Sequence, residues 1–208
     1  MRFRSHVSGA AIAALVAFAV SAASATEGDD VHAHHHVPAA AATTRTVVQY
    51  VVPNVELTRE DGAAVRLSDE LNDGRPVVLA FIYTSCTTVC PLISHTLSDL
   101  QNRLGADRDR VHLVSITIDP EQDTPSRLRE YARTFHAGPE WQHYTGTLAA
   151  SQTVQRAFGV YRGNKMDHSP AMLVRRAPGD QWTRLEGFAT ASDLLAELPD
   201  FNGLRAAR

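Results

Sequence analysis

The sequence predicts an α/β fold: a mixed central sheet flanked by helices, with a β-hairpin ahead of it. Three observations point there. Val77-Val78-Leu79-Ala80-Phe81-Ile82-Tyr83 is a continuous β-prone apolar run without polar alternation, the pattern of a central strand covered on both faces. Ile93, Leu97, Leu100 and Leu104 then recur at helical spacing and form an apolar stripe that ends near Gly105. A second strand-like run, Val111 to Ile118, is followed by a second helical stripe at Leu128, Tyr131, Ala132 and Phe135. Alternation of strand and helix builds a sheet with helices packed on it.

The N-terminus reads Met1-Arg2-Phe3-Arg4, then an apolar run from Ala10 to Val20, then Ala23-Ser24-Ala25. Basic, apolar and A-x-A segments in that order describe a secretory signal peptide, residues 1–25, cleaved after Ala25. The apolar run is shorter than the roughly 20 residues needed to span a hydrocarbon core. A periplasmic product without a membrane anchor is therefore expected. Residues 26–45 hold Glu, Asp, His, Ala and Thr with few large apolar side chains, so they read as a disordered leader. That leader carries His32, His34, His35 and His36, which could hold metal loosely or serve only as a solvated linker. One domain is expected from residue 46 to 208. It opens with Val55 and Leu57, the turn Asp61-Gly62, then Val65 and Leu67, a hairpin pattern. A short helix around Val154 to Phe158, strands at Ala171 to Val174 and Trp182 to Leu185, and a helix over Leu194 to Leu198 complete the pass.

The formal charge of the 208-residue chain is −3, and removal of Arg2 and Arg4 with the signal makes it more acidic. Such a balance argues against nucleic acid as a partner. The two cysteines, Cys86 and Cys90, lie in one short segment. A disulfide closing so small a loop constrains the unfolded chain little, so the pair points to chemistry rather than to a structural staple.

Cys86-Thr87-Thr88-Val89-Cys90-Pro91 sits where the buried strand gives way to the first long helix. Reactive groups in open α/β sheets gather at the carboxyl ends of strands. Thr87 or Thr88 can cap the helix, and Pro91 suits its first turn. The positive end of the helix dipole lowers thiol pKa and favours thiolates, which attack disulfides and bind metals. Three intervening residues place the thiols about one helical turn apart, so both can face one guest atom, and a disulfide remains possible if the turn adjusts. Two thiolates suit Cu(I), and an added imidazole admits Cu(II). Among candidate third ligands, His95 faces away from Cys90 by helix geometry. His112, His136 and His143 read as solvated surface histidines. His168, in Met166-Asp167-His168-Ser169-Pro170, enters the strand that begins at Ala171 and is the favoured ligand. Asp119 ends the second buried strand and could tune a metal or contact a partner; Asp123 or Thr124 could cap the helix that Pro125 starts.

With these residues in place, the chain resembles the SCO (SenC/PrrC) family. The resemblance rests on Phe81-Ile82-Tyr83-Thr84-Ser85-Cys86 through Cys90-Pro91, on Asp119-Pro120-Glu121-Gln122-Asp123-Thr124-Pro125, and on Asp167-His168-Ser169. It implies a thioredoxin-like fold and one copper ion, Cu(I) or Cu(II), bound by Cys86, Cys90 and His168. It also implies a role in assembling the dinuclear copper centre of cytochrome c oxidase, by copper delivery or by reduction of the target cysteines. The implied partners are a copper-receiving oxidase subunit, a copper donor and a thiol reductant. The segment between Val160 and His168 is shorter than the insertion usual in the family. Competing readings are a thiol:disulfide oxidoreductase using Cys86 and Cys90 without metal, a peroxidase suggested by Thr84-Ser85-Cys86, and a copper buffer working through the His-rich leader.

Overall fold

The computed structural model describes residues 43–201. The signal peptide, the processing site after Ala25, and His32, His34, His35 and His36 lie outside the described residues, as do residues 202–208. In chain order the elements are β1 (Thr44–Val48), β2 (Glu56–Arg59), β3 (Ala64–Arg66), α1 (Leu67–Glu70), β4 (Val77–Ile82), α2 (Val89–Leu104), β5 (His112–Thr117), α3 (Pro125–Thr134), β6 (Trp141–Thr145), α4 (Leu148–Ala157), β7 (Ala171–Arg175), β8 (Trp182–Glu186) and α5 (Ala191–Glu197). Short 3-10 segments occupy Gly105–Arg110 and Lys165–Asp167.

The strands form one mixed eight-stranded sheet in the order β1-β8-β7-β4-β5-β6-β2-β3. β4 runs parallel to β5 and antiparallel to β7, with Val77 opposite His112 and Arg175. Its continuous apolar run follows from that central place, because every β4 residue is buried. Alternate side chains serve two cores. Val78, Ala80 and Ile82 join Ile93, Leu97 and Leu100 of α2, whereas Val77, Leu79 and Phe81 meet Leu57, Val154, Phe158 and Trp182. The α2 stripe ends at Leu104, where Gly105 adopts a positive φ of 53° that costs a glycine little.

The expected hairpin is β2–β3, with Leu57 opposite Val65. Other features depart from the sequence reading. β1 begins at Thr44, so Thr44 and Arg45, expected in the leader, belong to the sheet. Arg45 is held there by a paired hydrogen bond to Glu197 at 2.6 and 2.9 Å. β6 was not expected. It brings His143 into the interior, and His112 is likewise buried in β5, so neither is a solvated surface histidine. His112 is tolerated because its ring nitrogens meet the Glu70 carbonyl at 3.2 Å and Gln142 at 3.0 Å. His143 instead stacks on Trp141, with ring centroids 5.2 Å apart, and neither of its nitrogens has a protein partner. Among the described residues, no helix is long and apolar enough to cross a membrane.

Candidate metal and thiol centre

β4 ends at Ile82, and the chain turns back at Tyr83–Cys86, where the Cys86 amide donates to the Tyr83 carbonyl at 3.1 Å. Asp123 holds this turn. Its buried carboxylate accepts from the Thr84 amide at 3.0 Å, the Thr84 hydroxyl at 2.5 Å and the Thr117 hydroxyl at 2.5 Å. Asp123 therefore does not cap α3. Thr124 does, accepting from the Arg127 amide, and Pro125 fills the first helical position.

Thr88 occupies the N-cap position of α2 but its side chain makes no capping bond; its hydroxyl lies 3.9 Å from the Cys86 sulfur. Neither threonine is the side-chain cap expected. The Cys86 sulfur takes that part, accepting the Cys90 amide at 3.4 Å. Cys86 and Cys90 are free thiols, both buried, Cys90 fully and Cys86 at 7% exposure. Their environments push them apart. Burial works to raise Cys86, but the amides of Cys90 and Thr88, together with the Cys90 thiol and Tyr83, outweigh it and bring the thiol down to about 7. Burial pushes the Cys90 thiol strongly up, and the neighbouring Cys86 adds to the effect. One thiol is thus poised to ionise near neutrality while the other is held protonated.

His168 follows the 3-10 turn Lys165–Asp167, with its amide bonded to the Lys165 carbonyl at 3.2 Å. Its side chain is buried, 9% exposed, rather than on an open loop. Nε2 lies 3.1 Å from the Phe81 carbonyl, which is beyond the last β4–β7 pair, Ala80 with Met172. A carbonyl only accepts, so Nε2 carries the proton and the neutral ring keeps its Nδ1 lone pair. Burial lowers the His168 pKa, Arg162 and Arg184 add to that, and the Phe81 bond opposes it. His95 is exposed and packs edge-on against Phe135.

Asp119 closes the other side. Its carboxylate pairs with Lys165 Nζ at 2.5 Å, and that ammonium stands 5.5 Å from the centre of the Tyr83 ring. Asp119, Gln155, Tyr161, Arg162, Lys165 and His168 line a cleft of about 410 Å³. Three participants were not singled out in the sequence: Tyr83, Lys165 and Met166. Burial and Cys86 push the Tyr83 phenol up to about 12. Its hydroxyl donates to the Met166 sulfur at 3.7 Å. Tyr83 was legible as the last residue of an apolar strand and as part of the motif that carries the resemblance, without a role of its own, and nothing in the spacing of Lys165 or Met166 marks them.

The structure thus brings Cys86 and Cys90 together, with Asp123 behind their turn and Asp119 on the neighbouring cleft. Among the described residues, no three His, Cys, Asp or Glu side chains already converge as a metal cluster. Two soft sulfurs of unequal acidity form the assembled part. They can hold a soft cation or exchange with a disulfide, and the buried neutral imidazole is a nitrogen donor of fixed tautomer.

Comparison with known proteins places this arrangement. The SCO1/SenC family model matches residues 43–200. The SCO1 protein homologue of Bacillus subtilis is 32% identical over 159 residues, covering 76% of each chain. The copper-bound structure of Bradyrhizobium japonicum ScoI has 27% identity and a TM-score of 0.60, covering 71% of this chain and 99% of that one. The fold also matches that of BsSco, described as a member of the Sco family of cytochrome c oxidase assembly proteins, with a TM-score of 0.60 at 23% identity, covering 74% and 96%. The chain, with its thioredoxin-like α/β sheet and its cysteine pair at the carboxyl end of β4, belongs to the SCO1/SenC family.

Proposed function

We propose that this protein is a periplasmic copper metallochaperone that holds one copper ion through Cys86, Cys90 and His168 and serves assembly of the dinuclear copper centre of cytochrome c oxidase. The observation that carries the reading is the Cys86 sulfur at the start of α2, where the Cys90 amide 3.4 Å away favours its thiolate. Copper suits this donor set because thiolates select Cu(I) and a neutral imidazole broadens the set to Cu(II). The hydrogen bond from His168 Nε2 to Phe81 leaves Nδ1 as the nitrogen that would ligate, the arrangement by which a backbone carbonyl orients a metal-binding imidazole. Copper loading then consists of drawing His168 and the two thiols onto one ion. The copper-bound state of ScoI from Bradyrhizobium japonicum and the oxidase-assembly description of BsSco support the same reading. An oxidase subunit would be the recipient.

A second reading, a thiol:disulfide oxidoreductase, is favoured by the unequal thiols. An ionisable Cys86 beside a protonated Cys90 is the division of labour that disulfide attack requires. The two readings separate at His168. Cu(II) titration, followed through sulfur-to-copper charge transfer, should show strong binding in protein lacking residues 26–42 and its loss in the same form carrying His168→Ala. That deletion spares β1, which begins at Thr44. Unchanged Cu(II) affinity and spectrum in His168→Ala would reject the three-ligand site and leave the oxidoreductase reading standing.

A further inference from the structure

Methionine is among the residue types most often buried, yet Met166 is 71% exposed whereas Met172 is 1% exposed. An exposed thioether on a loose loop would mean little, but Met166 is held on both sides. Its amide donates to the Asn164 side chain at 3.0 Å, which caps the 3-10 turn Lys165–Asp167. The next two amides close the turn, Asp167 onto the Asn164 carbonyl at 3.1 Å and His168 onto the Lys165 carbonyl at 3.2 Å. The sulfur itself receives the Tyr83 hydroxyl at 3.7 Å. Tyr83 also anchors the cysteine turn, its carbonyl accepting from the Cys86 amide at 3.1 Å, so the residue whose phenol touches the exposed thioether is the one on which the Cys86 backbone is held. Met166 is at the same time two residues from His168 in sequence. A fixed, solvent-exposed soft donor therefore rests on the residue that leads from β4 into the cysteine turn.

A thioether is neutral and soft. It selects Cu(I) over Cu(II) and over harder cations, and binds it more weakly than a thiolate does. Its sulfur has a second lone pair beyond the one that accepts from Tyr83, so the contact seen here does not consume its capacity as a ligand. Cys86 and Cys90 are buried, and a partner's copper-binding groups cannot reach them as directly as they can reach a 71% exposed side chain. An ion moving between two proteins by ligand exchange needs such an outer donor, so that one bond forms before the previous one breaks.

We propose that Met166 is a transfer ligand for Cu(I): its sulfur takes the ion from an incoming donor at the protein surface and hands it to Cys86. This inference rests on the copper-binding reading above and adds to it a residue outside the three-ligand set. The step is ligand exchange without redox change. A copper–thioether bond forms as a bond to the donor breaks, then a copper–thiolate bond forms at Cys86 as the thioether leaves, and any thiol proton displaced goes to solvent. The copper remains Cu(I) throughout.

The test uses the full mature chain, reduced and labelled with ¹³C at the methionine methyl groups, and Cu(I) supplied as its bathocuproine disulfonate complex. The Met166 methyl resonance, assigned by its disappearance in Met166→Leu, is expected to shift as Cu(I) is added. Uptake of Cu(I) from the chelator, followed by loss of the chelate colour, is expected to slow by about tenfold or more in Met166→Leu, the range by which a supporting group in a metal site matters. Leucine keeps the size and apolar character of the side chain and removes only the sulfur. An unmoved Met166 methyl in protein that has bound Cu(I), or wild-type uptake rates in Met166→Leu, would overturn the proposal while leaving the cysteine site intact. A reduced wild type that takes up no Cu(I) from the chelator would overturn the copper reading itself, and this inference with it.

Discussion

Substituting Asp123 with alanine tests whether the cysteine turn is held from beneath. The carboxylate takes three donors, the amide and hydroxyl of Thr84 and the hydroxyl of Thr117. A hydrogen bond to a charged group contributes about 1.5–3 kcal/mol net. The two hydroxyls can rotate towards other acceptors, but the Thr84 amide is fixed by the turn. The expected loss of folding stability therefore falls between one such bond and the sum of all, about 3–5 kcal/mol. For a domain of this size that lowers the melting temperature by about 6–20 °C. Urea or thermal denaturation measures it. Alkylation supplies an independent readout, because Asp123 is one of the charges that disfavour the Cys90 thiolate, and its removal should raise Cys90 reactivity. A stability loss below about 1 kcal/mol, with Cys90 as inert as before, would refute the assignment of Asp123 as the support of the turn and return it to the helix-capping role that its position before Pro125 suggests.

Three further outcomes concern pH. Cys86 should react with iodoacetamide along a titration centred on about 7, whereas Cys90 should stay unreactive well above that value. Because the Cys86 value is depressed from 9.0 to about 7, the stability it contributes is complete above 9.0 and is lost as pH falls through 7; a Cys86→Ser variant should lack that part of the profile. His143 works in the opposite sense of charge: burial lowers it from 6.5 to about 3, so folding is opposed as pH drops below 6.5. It should contribute a slope of about 1.4 kcal/mol per pH unit through that window. His143→Phe should flatten the acid limb by that amount, and an acid limb of undiminished slope would show that the imidazole finds a proton-accepting partner.

What the sequence made legible was whatever an apolar pattern alone dictates. β4, β5 and β7 read clearly because they are buried on both faces, and α2 and α3 because one stripe of each is. β6 was missed because Gln142 and His143 give Trp141–Thr145 the look of a polar loop, and only the tertiary placement of α3 over it, with Tyr131 against the imidazole, explains the burial of His143. β1 escaped for the opposite reason: it is an edge strand with four exposed residues of five and no alternation to read. At the site, the cysteine pair was evident from its place between strand and helix. The Asp123 support was not, since a carboxylate before a Thr-Pro helix start has the same local appearance whether it caps the helix or reaches across to Thr84. Tyr83 and Met166 meet across 83 positions of sequence, a pairing that no local pattern encodes.

The sheet order carries one more consequence, for when the molecule can finish folding. Residues 44–66 supply both borders of the sheet, β1 at one side and the β2–β3 hairpin at the other, and Tyr50, Val52 and Val55 between them pack along one face of it. The hairpin can dock once β6 exists, but β1 needs β8, and Arg45 needs Glu197, 152 positions further on. The first folded residues to leave the ribosome must therefore wait for almost the last. Contacts of such long range make folding slow, because the chain loses its loop entropy before the pairing repays it. Until then the free edge of β8 is open to other chains, and its closure by β1 is what ends that exposure.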